Sequence, residues 1–237
     1  MYKGKPRHIL ADPGNVASKV IVVGDPGRAS RLARVLTNAK LVNENRGLLV
    51  YTGFFDEIRV TVATHGIGGP SASLVIEELY DLGARTMIRL GTCGGLKEEI
   101  EAGSVVIPWG AATLSKSSLS MYVNEFCPAP VPSPRIQLSI AKGLKERGVR
   151  VHEGVIFTSD SFYAESKYLS SIKELGIIAV EMECATLFTI SRIKGFESGA
   201  ALIVSNNLES GEGLDKERLW RMEREVFETI VRSLAKL

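Results

Sequence analysis

The stretch Gly176-Ile177-Ile178-Ala179-Val180-Glu181-Met182-Glu183-Cys184-Ala185-Thr186-Leu187-Phe188-Thr189-Ile190 places two carboxylates inside an otherwise apolar run. The apolar residues after Gly176 predict a buried strand, and the segment that continues without Pro or Gly as far as Gly195 predicts a helix. Glu181 and Glu183 therefore lie at a strand-to-helix junction. A carboxylate in an apolar interior needs donors, which a ligand rich in hydroxyl groups could supply. The alternative is that acidic residues favour the first helical turn, where free N–H groups are found.

Short apolar runs alternate with helical stretches along the rest of the chain, which predicts a single α/β domain over residues 1–237 with a mixed central sheet flanked by helices. The predicted strands are residues 19–23, 48–55, 58–64, 86–90, 104–109, 151–158, 177–180 and 200–204. The predicted helices are residues 28–36, 71–82 and 135–147 and the C-terminal segment. In that last segment apolar residues recur at three- and four-residue spacing, which is typical of a helix packed along one stripe.

Composition indicates an ordinary globular protein. The chain has 237 residues, of which 45% are apolar and 24% charged, and its formal net charge is +2, so no nucleic-acid partner is expected. The apolar runs fall short of the roughly twenty residues that span a bilayer, and we expect a cytoplasmic protein without a membrane partner. Three cysteines without C-x-x-C spacing argue against a disulfide framework and a zinc ribbon. Cys93 and Cys184 are predicted buried thiols, and for Cys127, in a Pro-rich segment, a free thiol is favoured over an intersubunit disulfide.

Gly-rich turns follow several of the predicted strands. Val22-Val23-Gly24-Asp25-Pro26-Gly27-Arg28-Ala29 opens a helix, and free N–H groups at such an N-terminus together with Arg28 would suit a phosphate. The alternative is a tight turn with a surface arginine. The second turn follows a strand that contains Arg89, whose partner is either phosphate or an internal carboxylate, with Thr92 able to supplement either. Arg46, at a turn before a strand, is by default a solvated charge.

A third turn, Thr64-His65-Gly66-Ile67-Gly68-Gly69-Pro70-Ser71, again leads from a strand to a helix. His65 is interpreted as a structural histidine, and His152 as an exposed one. No His spacing typical of a metal site occurs, so no metal is expected. Arginines at strand ends, Gly-rich turns and paired Glu residues together indicate a ligand with phosphate and polyol groups.

These motifs resemble the nucleoside phosphorylase family that includes hexameric purine nucleoside phosphorylase, uridine phosphorylase and archaeal methylthioadenosine phosphorylase. The resemblance rests on Gly24-Asp25-Pro26-Gly27-Arg28, Gly66-Ile67-Gly68-Gly69-Pro70-Ser71, Arg89-Leu90-Gly91-Thr92 and Val180-Glu181-Met182-Glu183, which occur in the order of the family and lie within residues 8–207. It implies a nucleoside phosphorylase-like fold and phosphorolysis, in which inorganic phosphate attacks C1′ of a nucleoside and releases the base and pentose 1-phosphate. Phosphate would be a co-substrate, without a metal or organic cofactor.

The resemblance also implies a role for each matching residue. Phosphate would be bound by Gly24, Arg28, Arg89 and Thr92, with Arg46 reaching in from a neighbouring subunit. Met182 and Glu183 would hold the ribose, and His8 of the neighbour would lie near the 5′ hydroxyl. Phe162 would stack on the base, with Val180, Cys93 and Gly94 nearby, and Ser205 and Asn206 would complete the base site. Glu183, Arg89 and Asn206 would be the catalytic residues. Shared sites require at least a dimer, and family members of this type assemble as hexamers built from three dimers.

The chain departs from the family at Ser205-Asn206-Asn207, where purine members typically carry Ser-Asp. An amide cannot act as a general acid at neutral pH, so 6-oxopurine nucleosides should be handled better than adenosine or methylthioadenosine. The Gln and Arg pair of pyrimidine members is missing after Phe162-Tyr163, which favours purine over uridine. A hydrolytic nucleosidase and a non-catalytic nucleoside-binding protein are the remaining alternatives. Arg28, Arg46 and Arg89 argue against a hydrolytic nucleosidase, because hydrolysis needs no phosphate site.

Overall fold

The strands of this computed structural model form one sheet. The structure describes residues 6–124, 126 and 129–236. Within these residues the β-strands are β1 (Lys19–Val23), β2 (Thr37–Asn43), β3 (Val50–Phe55), β4 (Ile58–Thr64), β5 (Thr86–Gly95), β6 (Val105–Ala112), β7 (Val151–Thr158), β8 (Ala179–Glu181) and β9 (Glu197–Asn207). The α-helices are α1 (Pro26–Ala33), α2 (Gly69–Asp81), α3 (Ser120–Val123), α4 (Pro134–Glu146), α5 (Leu169–Glu174), α6 (Cys184–Lys194) and α7 (Lys216–Ala235). Short 3₁₀ turns cover Asn45–Gly47 and Glu165–Lys167.

The sheet is mixed and partly closed. Its strand order is β2-β3-β4-β1-β5-β8-β7-β6-β9, and β9 also pairs with β5, so five of the strands form a ring. Strand β5 runs parallel to β1 and β9 and antiparallel to β8. The carboxyl ends of β1, β4, β5 and β9 therefore lie at one end of the sheet, where ligands of α/β proteins usually bind. The expected α/β fold with a mixed central sheet flanked by helices is confirmed.

Helices cover the sheet on two sides. Residues of α2 and α6 pack in one buried apolar cluster, and residues of α1, α4 and α7 pack in a second. Successive side chains of a strand point to opposite faces. In β5, Met87 belongs to the α2 and α6 side, whereas Ile88 and Leu90 belong to the other. Arg89 therefore occupies a position that faces α2 and α6, where an apolar residue would otherwise be expected.

Several element boundaries differ from the sequence predictions. The strand expected to stop at Gly91 continues to Gly95, because the hydrogen-bonded ladder with β9 extends as far as Asn207 and sustains a Gly-rich strand. Strand β2 was not predicted, since its residues are mostly exposed and lack an apolar face. Helix α1 begins at Pro26 rather than at residue 28. His152, predicted to be exposed, is half-buried.

Cys93 and Cys184 are buried free thiols, as predicted. Cys127 lies outside the described residues. In the part of the chain that the structure describes, every helix is too short or too polar to cross a membrane.

Candidate active site at the ends of the strands

Glu181 ends β8, and its side chain caps helix α6. The carboxylate accepts hydrogen bonds from the backbone N–H groups of Glu183 at 2.8 Å and Cys184 at 2.9 Å. It also accepts one from Oγ1 of Thr158 at 2.5 Å. These are the N–H groups that a helix leaves without partners at its N-terminus. The helix-cap interpretation is therefore correct for Glu181.

Arg89 lies between the two carboxylates. Its Nε is 3.1 Å from Oε2 of Glu181, and its Nη2 is 2.5 Å from Oε2 of Glu183. Of the two partners left open by the sequence, the structure shows the internal carboxylates. Burial would lower the pKa of Arg89, but the Glu183 and Glu181 charges outweigh burial, and the pKa is raised above its usual value. Arg89 is therefore a permanent cation in the core.

Gly91 makes room for the guanidinium of Arg89. The two residues lie on the same face of β5, and a Cβ at position 91 would be 2.7 Å from Cζ of Arg89 and 2.8 Å from its Nη2. Contacts this short would force the guanidinium to move. The glycine in Arg89-Leu90-Gly91-Thr92 thus has a packing reason that is independent of any turn.

Glu183 occupies the N-cap position of α6, and the loop before α2 supplies a second donor to it. Its Oε1 accepts from the backbone N–H of Gly68 at 2.6 Å, and Gly68 has a φ of 85°, a conformation that favours glycine. Burial raises the pKa of Glu183, the Arg89 guanidinium opposes this, and the Glu181 carboxylate adds to it. A carboxylate offers about four lone-pair positions, so Glu183 can still accept hydrogen bonds from hydroxyl groups.

His65 contacts Arg89 from the end of β4. Its Nε2 is 3.1 Å from Nη1 of Arg89, and because arginine only donates, Nε2 must be the acceptor. Burial lowers the pKa of His65 well below its ordinary value of 6.5, and the positive charge of Arg89 lowers it further. The imidazole is therefore neutral near pH 7, and its contact orients Arg89. His65, interpreted from the sequence as a structural histidine, thus lies inside the candidate site.

The turn after β1 differs from the sequence prediction. The N–H groups of Gly27 and Arg28, expected to be free for an anion, donate to the side chain of Asp25 at 2.8 and 2.9 Å. Asp25 is the N-cap of α1, so its carboxylate satisfies these groups itself. The prediction that free N–H groups at this helix start bind phosphate is therefore wrong. Gly24 remains beside Gly66, whose carbonyl oxygen would be 3.2 Å from a Cβ at position 24.

The alternative interpretation of Arg28 as a surface arginine is also wrong, since only 6% of Arg28 is exposed. Its Nε is 2.7 Å from Oε1 of Glu223 in α7, and its Nη1 donates to the carbonyl oxygen of Leu90 at 3.1 Å. Leu90 follows Arg89 in β5, so Arg28 is held beside the strand that carries Arg89.

Strand register brings three residues expected near the base next to one another. Gly94 in β5 pairs with Val180 in β8 and with Asn206 in β9. Oγ of Ser205 lies 3.0 Å from Oδ1 of Asn206, which accepts its hydrogen bond. Cys93 is buried in the preceding position of β5, whereas Thr92 and Met182 are half-buried. Residues from three neighbouring strands thus meet at the end of β8 that carries Glu181.

Three expected ligand residues have other surroundings: Phe162 and Arg46 are exposed, and His8 is half-buried. Phe162 is 65% exposed and stands edge-on to Tyr163, with ring centroids 5.3 Å apart. Arg46 is exposed, with a φ of 58° in its 3₁₀ turn. His8 is held by Glu78 of α2 through its Nδ1 at 2.7 Å. None of the contacts that the structure records for these side chains involves Arg89 or Glu183.

Two cavities lie outside the Arg89 cluster. One, of about 370 Å³, is bounded by the first turns of α2 and α6, including Gly69 and Thr186, and by Ser118, Leu119, Met121 and Tyr122. The other, of about 340 Å³, lies between α1 and α7 and has Arg31, Trp220 and Glu223 in its wall. Neither cavity has Arg89, Glu181 or Glu183 in its wall.

Comparison with known proteins shows the family of this chain. A model of the phosphorylase superfamily matches residues 18–236. This chain belongs to the phosphorylase superfamily. It is similar to a guanosine phosphorylase of Halorubrum lacusprofundi, with 35% identity over 90% of this chain and 89% of the relative. It is 38% identical to a DeoD-type purine nucleoside phosphorylase of Roseobacter denitrificans, over 89% of this chain and 91% of that protein. A uridine phosphorylase of Thermococcus kodakarensis is 31% identical over 89% of this chain and 80% of its own length.

Glu223 is the functional candidate that sequence reasoning missed. The apolar positions of α7 recur as Leu219, Met222, Val226 and Ile230, and Glu223 lies on the edge of that stripe, where a buried residue is expected. A charge at such a position was the available signal. Its partners could not be predicted, because Arg28 is 195 residues away in the chain.

Proposed function

We propose that this member of the phosphorylase superfamily is a purine nucleoside phosphorylase, an enzyme that transfers a pentosyl group from a 6-oxopurine nucleoside to inorganic phosphate. The observation that carries the proposal is the position of Arg89 between Glu181 and Glu183, where the strands of the sheet end. A buried arginine beside a carboxylate with unused lone pairs suits a ligand that has both phosphate and hydroxyl groups. The curated names of the relatives support the same reaction.

The proposed reaction exchanges two bonds at C1′. A phosphate oxygen forms a bond to C1′ while the bond from C1′ to the base nitrogen breaks, and its electron pair leaves with the base, which takes up a proton. Glu183 accepts hydrogen bonds from the 2′ and 3′ hydroxyls, and its charge stabilises the positive sugar of the transition state. Arg89 and Arg28 orient phosphate, since planar guanidinium groups match its oxygens. Gly68, which donates to Glu183, and Gly91, which accommodates Arg89, keep both groups in place before substrate binds.

Asn206 supports a 6-oxopurine base. Its Oδ1 accepts from the Ser205 hydroxyl, so the amide N–H groups are left to donate to acceptor atoms of the base. An amide cannot protonate a leaving adenine. Because a 6-oxopurine needs less help to leave, we expect kcat/KM for inosine and guanosine to exceed that for adenosine and methylthioadenosine by about tenfold or more.

A substrate panel tests the reaction and the base together. Inosine, guanosine, adenosine, methylthioadenosine and uridine are each assayed with and without phosphate, and base and pentose 1-phosphate are quantified. Base release that is equally fast without phosphate would show a hydrolase, and tight binding without turnover would show a non-catalytic binding protein. Comparable kcat/KM for inosine and adenosine would contradict the role given to Asn206. Uridine is the second candidate substrate, favoured by the similarity to the Thermococcus kodakarensis protein.

We propose further that phosphate is a co-substrate and that no metal or organic cofactor takes part, since Arg28 and Arg89 supply the positive charge that phosphate requires. Activity should then survive dialysis against EDTA.

A cytoplasmic location is also proposed, because the buried free thiols Cys93 and Cys184 suit a reducing compartment. Cell fractionation checks it.

The proposed active unit contains at least two subunits, and a hexamer of three dimers is the expected assembly. His8 and Arg46 support shared sites because they lie on one surface of the chain: Nδ2 of Asn45 donates to the carbonyl oxygen of His8 at 3.0 Å. Exposed apolar side chains support an interface close to the site. Ile67, in the loop that binds Glu183, is 77% exposed, and Phe162 and Tyr163 are 65% and 91% exposed.

Mixing inactive subunits tests site sharing. Arg46→Ala protomers lack the group given to the neighbour, and Glu183→Gln protomers lack the group used in their own site. Co-refolded mixtures should recover activity, because some sites then combine an intact Glu183 with an intact Arg46. A mixture of Glu183→Gln with Glu183→Ala should not recover, and it serves as the control. Full activity of a monomer on a sizing column would contradict the shared site.

A further inference from the structure

Helix α7 carries a carboxylate that its packing does not require. Glu223 is 1% exposed and is followed in the same helix by Val226 and Phe227, which are fully buried. Burying a carboxylate costs several kcal/mol unless it is well paired, and an apolar residue at such a position is often neutral or stabilising. Stability of the fold therefore does not explain why a glutamate occupies this position.

Glu223 is paired with two arginines of α1. Its Oε1 is 2.7 Å from Nε of Arg28. Its Oε2 is 2.9 Å from both Nε and Nη2 of Arg31, and that Nη2 is also 3.0 Å from Oε1. Arg31 additionally contacts Asp25 at 3.2 Å. Arg28 has a further fixed bond, from Nη1 to the carbonyl oxygen of Leu90. The Arg28 guanidinium is therefore held on two sides, by α7 and by β5.

Arg28 has N–H donors left for an anion. Arginine has five N–H donors, and within the described residues Glu223 and Leu90 use two of them. Glu223 shares its charge between Arg28 and Arg31, and Arg31 is the one that also meets Asp25, so Glu223 can fix Arg28 without cancelling its attraction for phosphate. Leu90 follows Arg89 directly, which ties the position of Arg28 to the strand that carries the second phosphate arginine.

We propose that Glu223 is a positioning residue for phosphate binding, acting through Arg28, with Arg31 balancing its charge. The inference rests on the proposed phosphorolysis, because it assigns Arg28 to phosphate. It connects the C-terminal helix to the active site without any contact between α7 and substrate. Glu223 therefore affects the phosphate step and leaves nucleoside binding to the Glu183 side of the site.

The experiment separates phosphate binding from nucleoside binding. KM for phosphate, KM for inosine and kcat are measured for the wild type, Glu223→Gln and Glu223→Asp, with Glu228→Gln as control because Glu228 lies on the same helix and pairs with Arg224. Glu223→Gln should raise KM for phosphate about tenfold, with less than about a twofold change in KM for inosine. Glu223→Asp retains the charge, and its KM for phosphate should lie between those of the wild type and Glu223→Gln. An unchanged phosphate KM, or an equal rise in both KM values, would overturn the proposal.

A double variant distinguishes an effect on phosphate binding from an effect on folding. Arg31→Gln combined with Glu223→Gln removes one positive and one negative charge, so the melting temperature should return towards that of the wild type while KM for phosphate stays high. Recovery of the phosphate KM in the double variant would mean that Glu223 only balances charge, and the proposal would fail. A wild type whose base release does not depend on phosphate would instead refute the proposed function itself.

Discussion

Two clusters of charged side chains flank β5, one centred on a buried arginine and the other on a buried glutamate. In the first, Arg89 lies between Glu181 and Glu183, so one positive charge meets two negative ones. In the second, Glu223 lies between Arg28 and the partly exposed Arg31, and Arg31 also pairs with Asp25. An excess of charge inside a protein is costly, and a buried arginine needs only one carboxylate for packing. The excess negative charge of the first cluster lies where the sugar is expected, and the buried arginine of the second lies where phosphate is expected.

The largest expected effect on activity comes from removing the charge of Glu183 in the first cluster. Glu183→Gln keeps the shape of the side chain but removes the negative charge proposed to face the sugar cation, and kcat/KM should fall about 10²–10³-fold. Glu181→Gln should instead lower the free energy of unfolding, by about 3 kcal/mol, because it loosens the cap of α6 and the pair with Arg89. Its effect on kcat/KM should be at least tenfold smaller. Steady-state kinetics and urea unfolding of both variants decide this, and equal losses of activity would contradict the division of roles.

The second test moves Arg89 without removing a charge. In Gly91→Ala the new Cβ would collide with the Arg89 guanidinium, which its two ion pairs hold in place. We expect a loss of kcat/KM of about 10- to 100-fold and a destabilisation of about 1–3 kcal/mol. Gly110→Ala is the matched control, because the nearest atom to a Cβ there is 3.6 Å away, an ordinary contact. If Gly91→Ala behaves like Gly110→Ala, Arg89 is not fixed as described.

The third test uses pH and the neutral state of His65. Because its pKa is lowered by burial and by Arg89, the unfolded chain binds a proton near pH 6.5 that the folded chain does not bind. The stability contribution of His65 is therefore complete above the unfolded pKa and is lost as pH falls towards the lower folded pKa. Below pH 6.5 it should decline by about 1.4 kcal/mol per pH unit.

His65→Gln isolates this contribution. The glutamine amide oxygen can still accept from Arg89 but does not titrate, so the dependence of the free energy of unfolding on pH between about 6.5 and 5 should become shallower. Urea unfolding at a series of pH values gives the difference between the two proteins. Parallel curves for wild type and variant would mean that His65 is not held neutral in the fold.

The two clusters also differ in how much of them the sequence could predict. The junction at Glu181 and Glu183 was predictable, because an apolar strand, a Gly-free helix and two charges are adjacent in the chain. The need of Arg89 for partners was also predictable from its apolar strand, but the choice between phosphate and carboxylate was not. The Arg28 cluster gave a misleading local signal. Asp25 caps the helix that was expected to offer free amides, and Glu223 reaches Arg28 across 195 residues.

The smallest expected effect concerns a group that belongs to neither cluster. Glu78 of α2 accepts from the backbone N–H groups of Arg7, His8 and Ile9 at 3.0, 3.0 and 2.7 Å, and from Nδ1 of His8. Burial raises the pKa of Glu78, but these hydrogen bonds outweigh it, so the net pKa is lowered and the group is ionised at neutral pH.

Glu78 therefore holds the segment that is proposed to bring His8 to the 5′ hydroxyl of a nucleoside in the neighbouring subunit. Glu78→Gln replaces one of the two carboxylate oxygens by an amide nitrogen and should raise KM for inosine about threefold. KM for 5′-deoxyinosine, which lacks that hydroxyl, should stay unchanged, as should KM for phosphate. Glu77→Gln is the control on the same helix, since Glu77 pairs with Lys194 instead. Equal shifts for both nucleosides would place the effect in the stability of α2 and remove the support for His8 as a shared ligand.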